Sequence, residues 1–378
     1  MVVTARPSYS RIKTALQAIK DHPELELQLV VAASALLDRY GNAVDFIQAD
    51  GFSITEKVYN VLEGNTSTTM AKTTGLGIME LATAFDNLKP NIVCTIGDRY
   101  ETMATAIAAS YMNIPLCHIQ GGEVTGNIDE KVRHAITKLA DLHLVANQDA
   151  QQRLIKLGEE EDTIFITGCP SIDIAEDIRN KPELDFNPCE KYGGVGPIID
   201  SSEDYIVVLN HPVTTEFEQA FSQTDVLLKA IHKLNKPTFW FWPNVDAGSD
   251  GTSSAIRSFR EIKQPQNMHF FKNMEGRDFL RLLANSNCLI GNSSVGIREC
   301  SHLGVPVVNI GTRQNRRQRG QNVIDINYIE NEITEAINFQ VNHGKYTPQN
   351  IYGNGQSGKG IADILAVAEP KINKTITY

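Results

Sequence analysis

The stretch NIVCTIGDRYETMATAIAASYMNIPLCHIQ, residues 91–120, carries the pattern from which the fold class is predicted. Two short apolar runs, at 91–97 and 115–120, flank a longer helix-like stretch at 99–112. Short, nearly continuous apolar strands that alternate with helices are typical of a parallel sheet covered on both faces. This stretch therefore predicts one strand–helix–strand unit of an α/β protein.

The same alternation continues along the rest of the chain. Further predicted strands lie at 2–5, 25–33, 142–147 and 164–168 in the first half, and at 205–210, 238–242, 268–271, 288–291, 306–311 and 322–326 in the second. Between 181 and 204 the pattern breaks into Pro, Gly and acidic residues, which are typical of a link with an irregular loop. We therefore predict two doubly wound Rossmann-like domains, residues 1–180 and 205–355, joined by a linker at 181–204.

Ligands of doubly wound sheets bind outside the carboxyl ends of the strands. Two such domains that face a cleft would make every strand-to-helix loop a candidate wall of the site. Polar residues collect on these loops. They are, in chain order, Arg6, Ser10, Asp98, Arg99, Glu123, Asp129, Glu130, Arg133, His134, His211, Asn244, Asp246, Asn292, Ser293, Ser294, Thr312, Arg313 and Gln314.

The composition limits the function classes. The chain has 378 residues, a net charge of −10 and 42% hydrophobic residues. The acidic balance argues against a general nucleic-acid binder, and no apolar run reaches the roughly 20 residues that span a membrane. The six cysteines form no C-x-x-C pair, and the N-terminal stretch does not have the pattern of a secretion signal. We therefore expect a cytoplasmic protein.

The segment GNGQSGKG, residues 353–360, almost spells a phosphate-binding P-loop. It has Gly360 where a P-loop needs a Ser or Thr to hold magnesium, and it follows no clean buried strand. We interpret it as a glycine-rich turn ahead of a helix at 361–368. The nine histidines show no metal-ligand spacing, so we predict no metal site.

The stretch GNSSVGIRE, residues 291–299, is the strongest ligand-binding candidate. A helix that begins after a strand offers free backbone N–H groups and the positive end of its dipole, which suit a phosphate. Ser293 and Ser294 add hydroxyl donors, and Glu299 could accept bonds from two ribose hydroxyls. Arg313 and Arg6 could form charge-assisted bonds to a diphosphate. The set fits a nucleoside diphosphate.

Each of these residues also has a purely structural interpretation. Ser293 or Ser294 can be a helix N-cap, worth roughly 1 kcal/mol. Asp98 can be a turn residue, and His211 can be a buried histidine with satisfied hydrogen bonds. Their joint placement favours the functional interpretation, because all of them follow predicted parallel strands.

Several motifs together match a known family. The matching stretches are GDRYE (97–101), HIQGGEVTGNIDEKVRHAITKLA (118–140), GCPS (168–171), HPVTTE (211–216), PNVDAGS (243–249), GNSSVGIRE (291–299) and GTRQ (311–314). On these residues the chain resembles the hydrolysing UDP-N-acetylglucosamine 2-epimerases, which release UDP and N-acetylmannosamine for sialic acid synthesis. The resemblance implies the two-domain GT-B arrangement, with the helix of residues 356–378 crossing back to the first domain. It also implies a homo-oligomer, either a dimer or a tetramer.

The resemblance assigns roles residue by residue. The family's catalytic acids fall on Asp98 and Asp129. Its UDP contacts fall on Arg6, Ser10, Arg99, His211, Asn244, Ser293, Ser294, Glu299 and Arg313. One position departs from the family, which commonly has HIEGGE where this sequence has HIQGGE. Gln120 can orient a hydroxyl but cannot take a proton, so either this position is not the base, or Glu123 or Asp129 takes its work, or the preferred sugar differs.

The implied reaction needs a base at sugar C2, stabilisation of the departing UDP, and water at C1 of an unsaturated 2-acetamidoglucal intermediate. Asp98 and Asp129 would do the acid–base work, and His211 and Arg99 would bind or protonate the diphosphate. No redox cofactor is needed, because elimination and addition avoid a net hydride transfer, and we expect no other cofactor. The expected partners are a UDP-sugar substrate and the UDP product, with neither nucleic acid nor membrane.

Four other functions stay open on the sequence. A hydrolysing epimerase of UDP-diacetylbacillosamine would have the same loops. A non-hydrolysing epimerase would return UDP-N-acetylmannosamine, and a GT-B glycosyltransferase would need an acceptor alcohol. A non-catalytic nucleotide-sugar sensor would bind the ligand without turning it over.

Overall fold

The structure is a computed structural model, and it describes residues 1–37, 43–63, 66–124, 128–243 and 248–377. These residues form two compact units. The first comprises Met1–Val124, Ile128–Asp173 and the chain from Tyr352 onward, and the second runs from Ile174 to Ile351. Each unit is built on parallel strands with helices between them.

The first unit is doubly wound. Its strands are β1 (Val2–Val3), β2 (Val30–Ala32), β3 (Glu56–Val58), β4 (Val93–Ile96), β5 (Leu116–Ile119), β6 (Leu142–Val145) and β7 (Ile164–Ile166). Hydrogen bonds join the strands in two sets, in the orders β1-β2-β3 and β4-β5-β6-β7. β1 also lies beside β4, so the order across the unit is 3-2-1-4-5-6-7 and reverses between β1 and β4.

Helices cover both faces of this sheet. They are α1 (Arg6–Asp21), α2 (Ala43–Ala49), α3 (Ser67–Leu88), α4 (Tyr100–Tyr111), α5 (Ile128–Leu139), α6 (Gln148–Lys156) and α7 (Pro170–Asn180), the last of which continues into the second unit. Side chains alternate across a strand. On β4, Cys94 and Ile96 therefore pack into the cluster that contains Ile12 of α1, whereas Val93 packs into the cluster that contains Ala104 of α4.

The second unit has the strand order of a Rossmann fold. Its strands are β8 (Ile206–Leu209), β9 (Thr238–Phe241), β10 (Met268–Phe271), β11 (Cys288–Gly291), β12 (Val307–Ile310) and β13 (Val323–Ile326). They are all parallel, in the order β10-β9-β8-β11-β12-β13. The order reverses between β8 and β11, and ligands of such sheets bind at this switch point.

The helices of the second unit vary in length. They are α8 (Pro188–Tyr192), α9 (Ala220–Leu234), α10 (Ser249–Lys263), α11 (Gly276–Asn285), α12 (Ser294–Ile297), α13 (Glu299–Leu303) and α14 (Glu330–His343). The sheet is buried between them. Ile206 and Val208 of β8 face one cluster and Val207 faces the other, which explains why the strand is an unbroken apolar run.

The last helix, α15 (Ser357–Val367), belongs to the first unit. Ile361 and Leu365 pack into the same cluster as Leu16 of α1. The backbone N–H groups of Ser357 and Gly358 donate to the Asp173 carboxylate at 2.8 and 2.7 Å. The N-terminus of α15, which begins inside the P-loop-like segment, therefore holds a carboxylate of the protein itself.

The predicted α/β class with two doubly wound Rossmann-like units is confirmed. Every predicted strand is present, although most are shorter by one or more residues at the ends. β3 was not predicted, because it is an edge strand whose residues Glu-Lys-Val include a single apolar side chain, the buried Val58. α15 begins at Ser357, ahead of the helix start expected at 361.

The structure divides the chain differently from the predicted boundaries at 180, 204 and 355. The change of unit falls between Asp173 and Ile174 and again between Ile351 and Tyr352. The stretch expected to be a linker belongs to the second unit, where Val195 forms an antiparallel bridge with Phe270. Backbone hydrogen bonds to an edge strand, which composition does not reveal, place it there.

Candidate functional site

Two strand ends of the second unit meet at the switch point. Asn292 follows β11, and His211 lies two residues after the end of β8. The Asn292 side chain accepts from the His211 backbone N–H at 2.8 Å and donates to the His211 carbonyl at 2.7 Å. Both residues are buried. This reciprocal pair fixes the two loops against each other.

Gly291 allows this close approach. It has φ +135°, and a Cβ added to it would lie 2.1 Å from the Leu209 carbonyl oxygen of the paired strand. A side chain is therefore excluded by both conformation and space. Glycine is required at this position for β8 and β11 to end side by side.

The residues after Asn292 form two short helices. α12 has four residues and breaks at Arg298, where φ and ψ are −98° and −72°, and α13 begins at Glu299. The sequence had indicated one helix here, so this expectation is corrected. The dipole of so short a segment is small. A phosphate bound here would therefore interact mainly with individual N–H and hydroxyl groups rather than with the dipole of a long helix.

Side chains of this segment are ordered by local bonds. Ser293 is the N-cap of α12 and accepts from the Val295 N–H at 3.4 Å. Arg298 donates to the Ser294 hydroxyl at 2.9 Å. Arg298 and Glu299 are both buried, with 3.9 Å between Nε and Oε2, so they are not the solvated pair that their sequence would allow.

The loop after β12 also contacts Asn292. After β12, Arg313 and Gln314 donate to the Asn292 carbonyl at 3.2 and 2.9 Å. Burial, together with the nearby positive charge of Arg313, lowers the pKa of His211 to about 3. His211 is therefore neutral near pH 7, and it can donate a hydrogen bond to a phosphate but cannot supply the proton of an imidazolium.

The first unit gathers its own set of polar residues at the end of β4. Gly97 has φ +83° and turns the chain between the end of β4 at Ile96 and Asp98. Arg133 of α5 is buried and forms an ion pair with the Asp98 carboxylate. It also donates to the Glu123 carbonyl at 2.7 Å. Arg133 therefore joins the loops after β4 and β5.

Asp129 and Glu123 lie near this ion pair. Asp129 is in the first turn of α5, four residues before Arg133, and so lies on the same face of the helix. Glu123 is buried in the loop after β5. Among the described residues, no group of three or more His, Cys, Asp or Glu side chains is arranged to hold a metal ion.

Gln120 is held at both ends of its amide. Its backbone has φ +64°, its Oε1 accepts from Arg11 at 3.1 Å, and its Nε2 lies 2.7 Å from the Cys169 sulfur. The side chain is buried. An amide fixed in this way can orient neighbouring groups, but it cannot accept a proton at neutral pH.

The remaining predicted residues of the first unit lie on two helix N-termini. Arg99 precedes α4 and donates to the Glu101 carboxylate at 3.1 Å. Arg6 begins α1, with its guanidinium 4.5 Å from the centre of the Phe46 ring. Ser10 is exposed one turn later on α1. Asn244 lies outside the described residues.

No role was predicted for Asn292, Gln314, Arg133 or Arg11. Arg133, Asn292 and Gln314 stood among the strand-end polar residues, which was the available signal. The contacts of Arg133 and Asn292 reach to residues 35 and 81 positions away in the chain. Only the folded chain brings such pairs together.

Comparisons with known proteins support a single family. Residues 17–366 match the family model described as UDP-N-acetylglucosamine 2-epimerase. The chain is 33% identical over 364 residues to the UDP-N,N'-diacetylbacillosamine 2-epimerase (hydrolyzing) of Legionella pneumophila, covering 96% of this chain and 94% of that protein. It is 34% identical over 343 residues to the polysialic acid biosynthesis protein P7 of Escherichia coli, covering 89% and 84%.

A solved structure gives the same result for the fold. The UDP-GlcNAc 2-epimerase of Methanocaldococcus jannaschii, in complex with UDP-GlcNAc and UDP, is similar with a TM-score of 0.81 at 17% identity. The similarity covers 97% of this chain and 99% of that one. These matches confirm the family resemblance and the GT-B-like fold that the sequence motifs had indicated.

Proposed function

Because the chain belongs to the UDP-N-acetylglucosamine 2-epimerase family, we propose that it is a hydrolysing member that converts UDP-N-acetylglucosamine and water to N-acetylmannosamine and UDP, in support of nonulosonic acid synthesis. The observation that carries this proposal is the buried Arg133, which holds the Asp98 carboxylate at the end of β4. A carboxylate fixed at a strand end suits proton transfer to and from a bound sugar.

In the proposed reaction, a carboxylate removes the proton from C2 of the hexose. The electron pair forms a C1–C2 double bond, and the C1–O bond breaks as UDP departs with its electrons. Water then adds a hydroxyl to C1, and C2 receives a proton on the opposite face. We assign the proton transfers to Asp98 and Asp129, with Glu123 and Gln120 arranged around them.

The second unit is the proposed site of UDP. The Ser293 and Ser294 hydroxyls and Arg313 surround the switch point, where the loops after β8, β11 and β12 are tied together by Asn292. Preorganised donors of this kind stabilise the charge that develops on a leaving diphosphate. Neutral His211 would donate one hydrogen bond to it. Glu299 is proposed to accept from the ribose, and Arg6, Ser10, Arg99 and Asn244 to complete the contacts.

One alternative substrate has specific support. The Legionella pneumophila relative acts, by its name, on UDP-N,N'-diacetylbacillosamine, and it is 33% identical over nearly the whole chain. The same acid–base set could work on either sugar, because the reaction takes place at C1 and C2. The two sugars differ in their substituents at C4 and C6, away from the reacting carbons.

In the deciding experiment, the purified protein is incubated in heavy water with each nucleotide sugar in turn. The products are followed by proton NMR. We expect UDP and a free reducing sugar that carries deuterium at C2. Return of an epimerised UDP-sugar would favour a non-hydrolysing enzyme instead. Release of UDP only after addition of an acceptor alcohol would favour a glycosyltransferase, and binding without deuterium exchange would favour a sensor.

The cellular setting is part of the same proposal. We place the protein in the cytoplasm, because its six cysteines are free and buried, as is usual in a reducing compartment. Within the described residues, a helix with the length and apolar character to cross a bilayer is absent. A homo-oligomer is proposed on the family resemblance alone, and light scattering on the purified protein would test it.

A further inference from the structure

His118 is a buried histidine that the proposed reaction does not use. It lies on β5, between Thr95 of β4 and His143 of β6 in the strand register. It is fully buried, as is His143. A polar side chain in the middle of a sheet costs stability unless both of its ring nitrogens find partners.

Both ring nitrogens of His118 do find partners. Nε2 lies 2.9 Å from the Gly97 carbonyl oxygen, and Nδ1 lies 3.2 Å from the Thr137 hydroxyl. A carbonyl oxygen only accepts, so Nε2 carries the proton and Nδ1 accepts from Thr137. Burial lowers the pKa of His118 to about 4, although the bond to Gly97 opposes this shift. The ring is therefore neutral, with one donor and one acceptor.

The Gly97 carbonyl belongs to the peptide that leads into Asp98. Since a peptide is planar, a bond to this oxygen also fixes the plane that contains the Asp98 nitrogen. Gly97 has φ +83°, so the backbone at this turn has freedom that the neighbouring contacts must restrict. His118 supplies such a contact from inside the sheet.

Thr137 connects His118 to the other anchor of Asp98. It lies on α5, one turn after Arg133, which pairs with the Asp98 carboxylate. The contacts form a closed ring, from His118 to the Gly97–Asp98 peptide, to Arg133, along α5 to Thr137, and back to His118. α5 therefore restrains the backbone of Asp98 through His118 and the side chain of Asp98 through Arg133.

We propose that His118 is a positioning residue for Asp98, acting through the Gly97 carbonyl and through α5. Because His118 is fully buried, it would act through Gly97 and α5 rather than on the substrate itself. The proposal rests on the proposed function in one respect, which is that Asp98 takes part in proton transfer.

The test compares two substitutions of His118 with a matched control. His118→Leu removes both hydrogen bonds, whereas His118→Gln keeps one donor and one acceptor. His143→Leu is the control, because His143 is equally buried in the next strand but bonds to Glu159 at 3.0 Å, away from Asp98. For each variant, kcat, KM, the Kd of UDP and the thermal midpoint are measured.

We expect His118→Leu to lower kcat about 100-fold, because a displacement near 1 Å of a catalytic group has an effect of this size. KM and the Kd of UDP should change by less than about 3-fold, since ground-state binding is not affected. His118→Gln should recover most of kcat. His143→Leu should lower the thermal midpoint and leave kcat near the wild-type value. Unchanged kcat in His118→Leu, or equal losses in the two leucine variants at similar thermal midpoints, would overturn the proposal.

A crystal structure of His118→Leu separates this proposal from the proposed function. The Gly97–Asp98 peptide should be displaced or rotated relative to Arg133, whether or not the wild type hydrolyses a nucleotide sugar. An unchanged peptide overturns the positioning role even if the enzyme is active. Absence of turnover in the wild type would count against the proposed function, and the peptide geometry would still decide the role of His118. If His118→Leu does not fold, Thr137→Val replaces it, because this change removes only the hydroxyl bond to Nδ1.

Discussion

The side chain of Asn292 and the backbone of His211 form a reciprocal pair of hydrogen bonds, at 2.8 and 2.7 Å, across the strand ends where the sheet of the second unit reverses its order. Each partner is buried, so the amide group replaces the water that both loops would otherwise need. The same residue accepts bonds from Arg313 and Gln314 through its carbonyl. One asparagine therefore joins three strand-end loops.

Replacing Asn292 with Ala should loosen this junction. The His211 N–H and C=O would lose their partners, and a buried unsatisfied group costs about 1–3 kcal/mol. We expect the free energy of unfolding to fall by about 2 kcal/mol and UDP to bind more weakly. Chemical denaturation and isothermal titration calorimetry would measure the two effects. Asn287→Ala is the control, because Asn287 lies at the other end of β11 and bonds to Asp204. Equal UDP affinities in the two variants would contradict this role of Asn292.

Asp98→Asn tests the proposed proton transfer. The amide has nearly the shape of the carboxylate but cannot accept a proton at neutral pH. We expect turnover to fall by about 10²- to 10⁴-fold, whereas the Kd of UDP should stay within about 3-fold of the wild-type value. Calorimetry and a coupled assay of UDP release would give both numbers.

The control for this variant is Asp86→Asn, an exposed aspartate paired with Lys89. It should behave as the wild type in both assays. Near-wild-type turnover in Asp98→Asn would remove Asp98 from the mechanism. A thermal scan is also needed, because the variant leaves the buried Arg133 facing an uncharged amide.

The contacts of His269 predict that the free energy of unfolding depends on pH. Its two ring nitrogens lie 2.8 and 2.9 Å from the carbonyls of Pro197 and Gly193, so both must carry protons. Burial lowers the pKa of His269, but hydrogen bonds to Cys189 and to these carbonyls outweigh it and raise the pKa to about 9. The ring is therefore an imidazolium at neutral pH.

A pKa raised in the folded state stabilises the protein while the group stays protonated there. The contribution of His269 should be complete below about pH 6.5 and should be lost as the pH rises through about 9. Unfolding of wild type and His269→Gln in urea at pH 7 and pH 10 would show this, with a smaller difference between the two pH values in the variant. The exposed His343→Gln should retain the wild-type pH dependence. Identical pH dependence in all three proteins would show that His269 is not charged.

Two glycines should respond to alanine in opposite directions. In Gly291→Ala the new Cβ would meet the Leu209 carbonyl at 2.1 Å, with φ +135°, so we expect a loss of about 2 kcal/mol or more. Gly360 lies within α15 and has open space around it, so Gly360→Ala should stabilise the protein by about 0.5–1 kcal/mol. Thermal and chemical unfolding measure both. A mild effect at Gly291 would mean that β8 and β11 can separate without loss.

Much of the fold was predictable because its signals are local. Apolar runs of four to nine residues between helix-like stretches indicated parallel strands, and all of those strands are present. β3 was missed, since this edge strand has one apolar residue, Val58, and therefore no apolar run. The region 181–204 looked like a linker because its composition is irregular, whereas the bridge from Val195 to Phe270 attaches it to the second unit.

Less of the candidate site was predictable. Motifs placed Asp98, His211 and Ser293 after strands, because a strand end is visible as the end of an apolar run. The protonation state and the hydrogen-bond partners of each side chain could not be predicted from the sequence. Burial and Arg313 make His211 neutral, and the contacts with Arg11 and Cys169 hold Gln120. These effects depend on neighbours that are distant in the sequence.

Residue types and short-range spacing were enough to predict the alternation of strands and helices, the two parallel-stranded units and the family. The groups that come into contact at the strand ends became known only from the three-dimensional fold. Arg133 reaches Asp98 across 35 positions and Asn292 reaches His211 across 81, and such contacts form only when strand order brings the carboxyl ends of separate strands to one edge.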